Sequence, residues 1–241
     1  MSGVSSKFQS EPVITAGWRP WQATIASLLI FTLSQLIIGL LLVVVGVDLA
    51  SFSIAANISL GLAAGGLSIM LTLWFVGWFG ADRKRALGLI KPSQNIWPLL
   101  GLALLAFVII SSLLSLAVDS LWPSFEAEQE QDIGLGSISG PWQYLGAFVL
   151  LVVVAPISEE LIFRGVLFAG WRSKGFVVAA IVSSTFFGLA HWQPNVVLAT
   201  AVLGWILAYL YEKTGSLWAP IGLHAAKNAL AFALVYGGGI S

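Results

Sequence analysis

Long apolar runs constrain this chain more than any other feature. A helix needs about 20 apolar residues to cross the ~30 Å hydrocarbon core of a bilayer. Runs near that length recur at residues 23–47, 54–79, 96–121, 142–172, 176–191, 195–212 and 216–236. Lipid offers no hydrogen-bond partner to an open backbone, so the runs are read as helices. The expected fold is all-α, a polytopic transmembrane helix bundle of about seven spans, the fifth and sixth short for a full crossing. The fourth is long, and Pro156 within it removes a backbone donor and is expected to kink it.

Composition agrees with that reading. Of 241 residues, 58% are hydrophobic and 9% charged, and the mean hydropathy is +0.93; a soluble domain carries about 25% charged residues. The net charge is zero, which gives no electrostatic reason to expect nucleic acid. The expected partners are membrane lipids and a membrane-associated peptide or protein. Cysteine is absent, which excludes disulfides and thiolate metal ligands. The first run is far longer than a signal-peptide core and lacks a small-residue cleavage site, so it is read as a retained span.

Charged residues between the runs give an orientation. Asp82-Arg83-Lys84-Arg85 and Lys91 separate runs two and three, Arg172 and Lys174 follow run four, and Lys213 follows run six. The alternate loops hold Asp48, then Glu126, Glu128, Glu130 and Asp132, then no charge. The cationic loops share a side with Lys7 and Arg19, and the positive-inside rule places that side in the cytoplasm. The expected location is a bacterial-type plasma membrane with the N-terminus cytoplasmic. No internal repeat is evident, which disfavours a transporter of duplicated halves. Residues 1–22 read as a polar tail, 23–140 as a three-span part ending in the acidic loop, and 141–236 as a four-span part. Gly61 and Gly65 form a GxxxG, a spacing associated with close helix packing.

The four-span part holds charge where charge is expensive. An ionised side chain at the bilayer centre costs about 2.5–3.5 kcal/mol on insertion scales. Yet Glu159, Glu160, Arg164, His191, His224, Lys227 and Asn228 all fall within these spans, and they include both histidines of the chain. Glu160 and Arg164 stand four apart, on one helix face, as an ion pair requires. Glu159 lies about 100° around the helix with no such local partner. In an apolar setting that is the condition for a general base near neutral pH. Measured from the cationic turns at 1.5 Å per residue, Glu159 lies roughly 20 Å up its helix, His191 roughly 25 Å, His224 roughly 15 Å and Asn228 roughly 20 Å. Four polar side chains from three helices thus occupy one layer.

Two chemistries fit such a layer. Glu159 and His191 can hold and deprotonate water while His224 and Asn228 donate to an oxyanion. Alternatively Glu159, His191 and His224 supply three ligands to zinc. Each residue also has a purely structural reading: a histidine bridging helices, an asparagine fastening them, or His191 capping the turn at Trp192-Gln193-Pro194-Asn195.

Three motifs carry a resemblance. Glu159-Glu160-Leu-Ile-Phe-Arg164 resembles EExxxR, Phe187-Gly-Leu-Ala-His191 resembles FxxxH, and His224-Ala-Ala-Lys-Asn228 resembles HxxxN. Together, in this order and with the Thr214-Gly215-Ser216-Leu-Trp218 lead-in, residues 141–236 resemble the CAAX protease and bacteriocin-processing family, also called Abi proteins. The resemblance implies an intramembrane endopeptidase acting on a membrane-associated or prenylated protein. It implies Glu159 and His191 as the water-activating pair and His224 and Asn228 as oxyanion stabilisers. Glu160, Arg164, Phe187 and Lys227 are expected in support, Lys227 by keeping His224 neutral or by pairing with Glu160. Family accounts divide between a zinc metalloprotease and a metal-independent glutamate protease. The residues favour the latter, because asparagine is a poor zinc ligand and a good donor. The alternative is a non-catalytic membrane scaffold or bacteriocin-immunity protein in which the polar layer only fastens helices.

Overall fold

The computed structural model describes residues 16–46, 53–80, 82–92, 94–125, 135 and 138–237. Lys7, Asp48, Glu126, Glu128, Glu130 and Asp132, read above as tail and loop charges, lie outside the described residues. Eight helices follow in order among the described residues: α1 (Pro20–Val44), α2 (Ile54–Trp78), α3 (Arg83–Ala86), α4 (Trp97–Leu121), α5 (Pro141–Lys174), α6 (Phe176–Leu189), α7 (Pro194–Thr214) and α8 (Trp218–Tyr236). Seven occupy the seven apolar runs, and the short α3 lies in a cationic loop. Their starts are marked by residues suited to the task. Prolines stand in the first turns of α1, α4, α5 and α7, where a missing N–H is harmless. The Ser53 hydroxyl accepts from the Ala56 N–H at the start of α2.

Five helices, namely α1, α2, α4, α5 and most of α7, are long and apolar enough to cross a membrane, and the chain is a multi-pass membrane protein. Helix α6, at 14 residues, is short. Helix α7 is not. It was expected to be short, but Pro194 starts it earlier and the cationic end carries it to Thr214, 21 residues in all. Helix α8 is 19 residues long but carries His224, Lys227 and Asn228, and this polar load keeps it out of the most apolar group.

Helix α5 is not a uniform α-helix. Two π-helical stretches, Val149–Val154 and Leu161–Phe168, flank the α-helical turn Ala155–Glu160 that contains Pro156, Glu159 and Glu160. A proline withholds one N–H from the ladder, and here the backbone widens its register on both sides of the turn. In the π register the donor to Leu151 would be Pro156, which has none. The Asn228 side chain donates to the Leu151 carbonyl instead, at 2.8 Å. Carbonyls of the second π stretch also receive outside donors. Trp18 Nε1–H bonds Val166 O at 3.0 Å, and Ser27 Oγ–H bonds Ile162 O at 3.3 Å. Both donors come from the start of the chain, and Trp171 Nε1–H returns a bond to Thr24 Oγ at 2.9 Å.

Helix α2 packs on the first π stretch through its glycines. A Cβ at Gly61 would stand 2.7 Å from Leu150 Cδ2, and one at Gly65 would stand 2.5 Å from Val154 Cγ1. The GxxxG is therefore the place where α2 approaches α5 most closely. Gly66, one position on, has nothing within 4 Å of such a Cβ. Substituting Gly65 with Val should overpack this contact and lower stability by about 1–3 kcal/mol. Gly66→Ala should be neutral or slightly stabilising. Thermal unfolding of the two variants in the same detergent measures the difference.

Candidate active site

The site is built outward from one buried carboxylate. Glu160 and Arg164 are wholly inaccessible to solvent, and Arg164 Nη1 donates to Glu160 Oε1 at 3.0 Å. The same oxygen accepts from His224 Nδ1, also at 3.0 Å. Arg164 is held further by a bond from Nη2 to the Gly204 carbonyl at 3.1 Å, and its Cζ lies 4.4 Å from the centre of the Phe187 ring. The guanidinium thus meets a carboxylate, a carbonyl and a π face where no water can replace them. Removing one partner of such a pair leaves an uncompensated charge.

His224 is thereby fixed at Nδ1. Because Glu160 is ionised in its pair with Arg164, it accepts, and His224 Nδ1 carries the hydrogen. The other nitrogen, Nε2, stands 3.9 Å from Glu159 Oε2. Glu159 is the more open of the two carboxylates, with its side chain 23% exposed. His191 closes the last turn of α6, its Nδ1 at 2.9 Å from the Phe187 carbonyl. A carbonyl only accepts, so Nδ1 bears the hydrogen and Nε2 keeps a lone pair. The Phe187 ring packs by its edge or face against both histidines, with centroids 5.0 Å from His191 and 5.6 Å from His224.

Glu159, His191, His224, Lys227 and Asn228 all line one cavity of about 450 Å³. Asn228 is also a fastener, through its bond to Leu151 O, and one N–H of its amide remains. Lys227 does not pair with Glu160. That carboxylate is enclosed with Arg164 and His224, while Lys227 lies three residues along α8 on the cavity wall beside Glu159. Among the described residues no three His, Asp or Glu side chains, the candidate ligands Glu159, His191 and His224 included, are grouped closely enough to hold a metal ion.

Two features escaped the reading of the sequence. The Glu160–His224 bond joins residues 64 positions apart, and only their similar depth hinted at it. Gln35 of α1 also lines the cavity, which brings a residue of the first span to the polar layer. A lone amide in the middle of a 25-residue apolar helix was the available signal. Replacing Arg164 with Met should strand the buried Glu160 and destabilise the protein by about 3–5 kcal/mol. Unfolding in detergent measures this, and Arg172→Met, which breaks a half-exposed bridge to Glu212, should cost clearly less.

Residues 141–230 match the family model described as "Rce1-like: Type II CAAX prenyl endopeptidase Rce1-like". Among curated proteins, the chain is similar to "Putative membrane peptidase YdiL" of Bacillus subtilis, 36% identical over 77 residues, which are 32% of each chain. It is similar to "Membrane-embedded CAAX protease MroQ" of Staphylococcus aureus, 33% identical over 89 residues, 34% of this chain and 36% of that one. It is also similar to "Probable CAAX prenyl protease 2" of Schizosaccharomyces pombe, 30% identical over 112 residues, 36% of this chain and 40% of the other. The chain thus spans between a third and two fifths of the length of these three relatives. No solved structure matches it.

Proposed function

We propose that the protein is an intramembrane endopeptidase of the glutamate type, on the footing that residues 141–230 match the Rce1-like family model. One observation carries the reading. A carboxylate, two imidazoles and an amide from α5, α6 and α8 line a single cavity beside a fully buried ion pair that holds one imidazole in register.

In this reading a water lies between Glu159 and His191. Glu159 takes its proton while the Nε2 lone pair of His191 holds its second hydrogen, and the oxygen attacks the scissile carbonyl carbon. The carbonyl oxygen becomes anionic. His224, its Nδ1–H committed to Glu160, carries a second proton on Nε2 and donates it as a hydrogen bond to that oxyanion. The free N–H of Asn228 supplies another. Collapse of the tetrahedral centre breaks the C–N bond, and Glu159 returns its proton to the leaving amine. The products are a carboxylic acid and an amine, which takes up the acid's proton to leave a carboxylate and an ammonium, and the groups end as they began. Lys227 adds positive charge to the same cavity. The substrate is a membrane-associated peptide or protein.

The fastening reading has an observation of its own in the Asn228 bond to the Leu151 carbonyl. The two readings part on stability. Glu159 is in no strong pair, so Glu159→Gln should leave thermal unfolding unchanged while lowering peptide cleavage by about 10²–10⁴-fold. The assay is turnover of an internally quenched library of apolar nonapeptides in detergent micelles. Undiminished cleavage by the Gln variant refutes the mechanism. A large loss of stability in that variant supports a scaffold instead.

A further inference from the structure

The cavity and the cationic loops of this chain stand at opposite ends. Among the described residues, every Lys and Arg except Arg164 and Lys227 lies just before α1 or in the loops and helix ends at one face, which is also where α2, α5 and α7 end and α4, α6 and α8 begin. From that face inward the bundle is filled. Tyr211 and Phe168 are almost wholly buried, and their rings pack together at 5.9 Å. Leu217 and Leu87 are fully buried, and Leu87 reaches Gly165 so closely that a Cβ there would stand 2.7 Å from its Cδ2. The cationic loop that carries Leu87 is stitched to the start of α8: Leu217 N–H donates to Gly88 O at 2.7 Å and Ser216 Oγ–H to Ile90 O at 2.5 Å. Arg172 clamps Glu212 with two bonds of 2.6 and 2.7 Å, tying α5 to α7.

On the other side of Glu159 the bundle is hollow. The cavity wall runs along the second half of α8, from Asn228 through Ala231 to Val235 and Tyr236. On α7 it uses only the first half, from Val196 to Leu203, and on α6 only the final residues. Glu159 and His224 are thus at the floor of a cleft whose wall continues to the face opposite the cationic loops.

We propose that water and substrate reach the site from the face opposite the cationic loops, so that its substrates are peptide segments presented on the extracytoplasmic side of the membrane. The direction of the cleft comes from packing alone; its assignment to the outside follows from the excess of cationic residues at the filled face. That the occupant is a peptide rests on the endopeptidase reading above.

The chain contains no cysteine, so single cysteines report access directly. Ala199→Cys and Ala231→Cys line the cleft, Leu217→Cys lies in the filled layer, and Lys174→Cys marks the cationic face. Each is expressed in bacteria and exposed to a charged, membrane-impermeant maleimide, in intact cells and in inside-out vesicles. Thermal unfolding checks that each variant is folded. The expected result is labelling at 199 and 231 at least tenfold faster from outside, at 174 from the cytoplasmic side only, and at 217 from neither. Labelling of 199 and 231 from the same side as 174, or from neither side, overturns the proposal. The labelling does not depend on catalysis. Outside access with no peptide cleavage would leave the cleft's direction standing and remove the endopeptidase reading.

Discussion

Everything in the second half of the molecule is arranged around one oxygen atom. Glu160 Oε1 accepts from Arg164 and from His224 together, in a setting with no solvent. An isolated carboxylate there would be untenable, and so would an isolated guanidinium. Each makes the other possible, and their combination gives α8 a fixed rotation relative to α5. The histidine that results has one nitrogen spoken for and one facing Glu159. A pair that looks like ballast for membrane insertion therefore also sets the geometry of the polar cavity next to it.

The backbone makes a parallel arrangement. Helix α5 gives up α-helical register on both sides of the turn that presents Glu159 and Glu160. Carbonyls in the loosened stretches are taken by Asn228 and by Ser27 and Trp18, from two separated parts of the chain. Backbone polar groups in hydrocarbon must find partners inside the protein. Here that requirement couples the helix bearing the carboxylates to α1 and to α8. Residues outside the three motifs, Trp18 and Ser27 among them, thereby help to shape the helix that carries the first.

Much of the fold was legible because lipid simplifies the problem. Seven helices fall on the seven apolar runs, and Gly61 and Gly65 lie where close packing was expected. The Glu160–Arg164 pair follows from a spacing of four on one helix. What was not legible depends on pairing between distant segments. Nothing in the apolar string around Pro156 signals two π stretches, because π register arises from the packing of neighbours and not from side-chain type. The Glu160–His224 bond needs the relative rotation of α5 and α8. Of the two roles expected for Lys227, the pairing with Glu160 fails for the same reason: spacing along α8 gives its depth but not which carboxylate it faces. The length of α7 was underestimated because its polar ends hid three further residues, just under one turn.

Helix α6 has a consequence for the surrounding lipid. Fourteen residues rise only about 21 Å, well short of the ~30 Å that hydrocarbon ordinarily occupies. Trp192 and Gln193, which follow it after Ala190 and His191, are therefore drawn below the plane where headgroups would otherwise sit, or the acyl chains beside them must compress. Either way the oily barrier is thinnest alongside the histidine at 191. An aqueous dimple at that spot would let a polar backbone descend to the carboxylate without crossing half a bilayer.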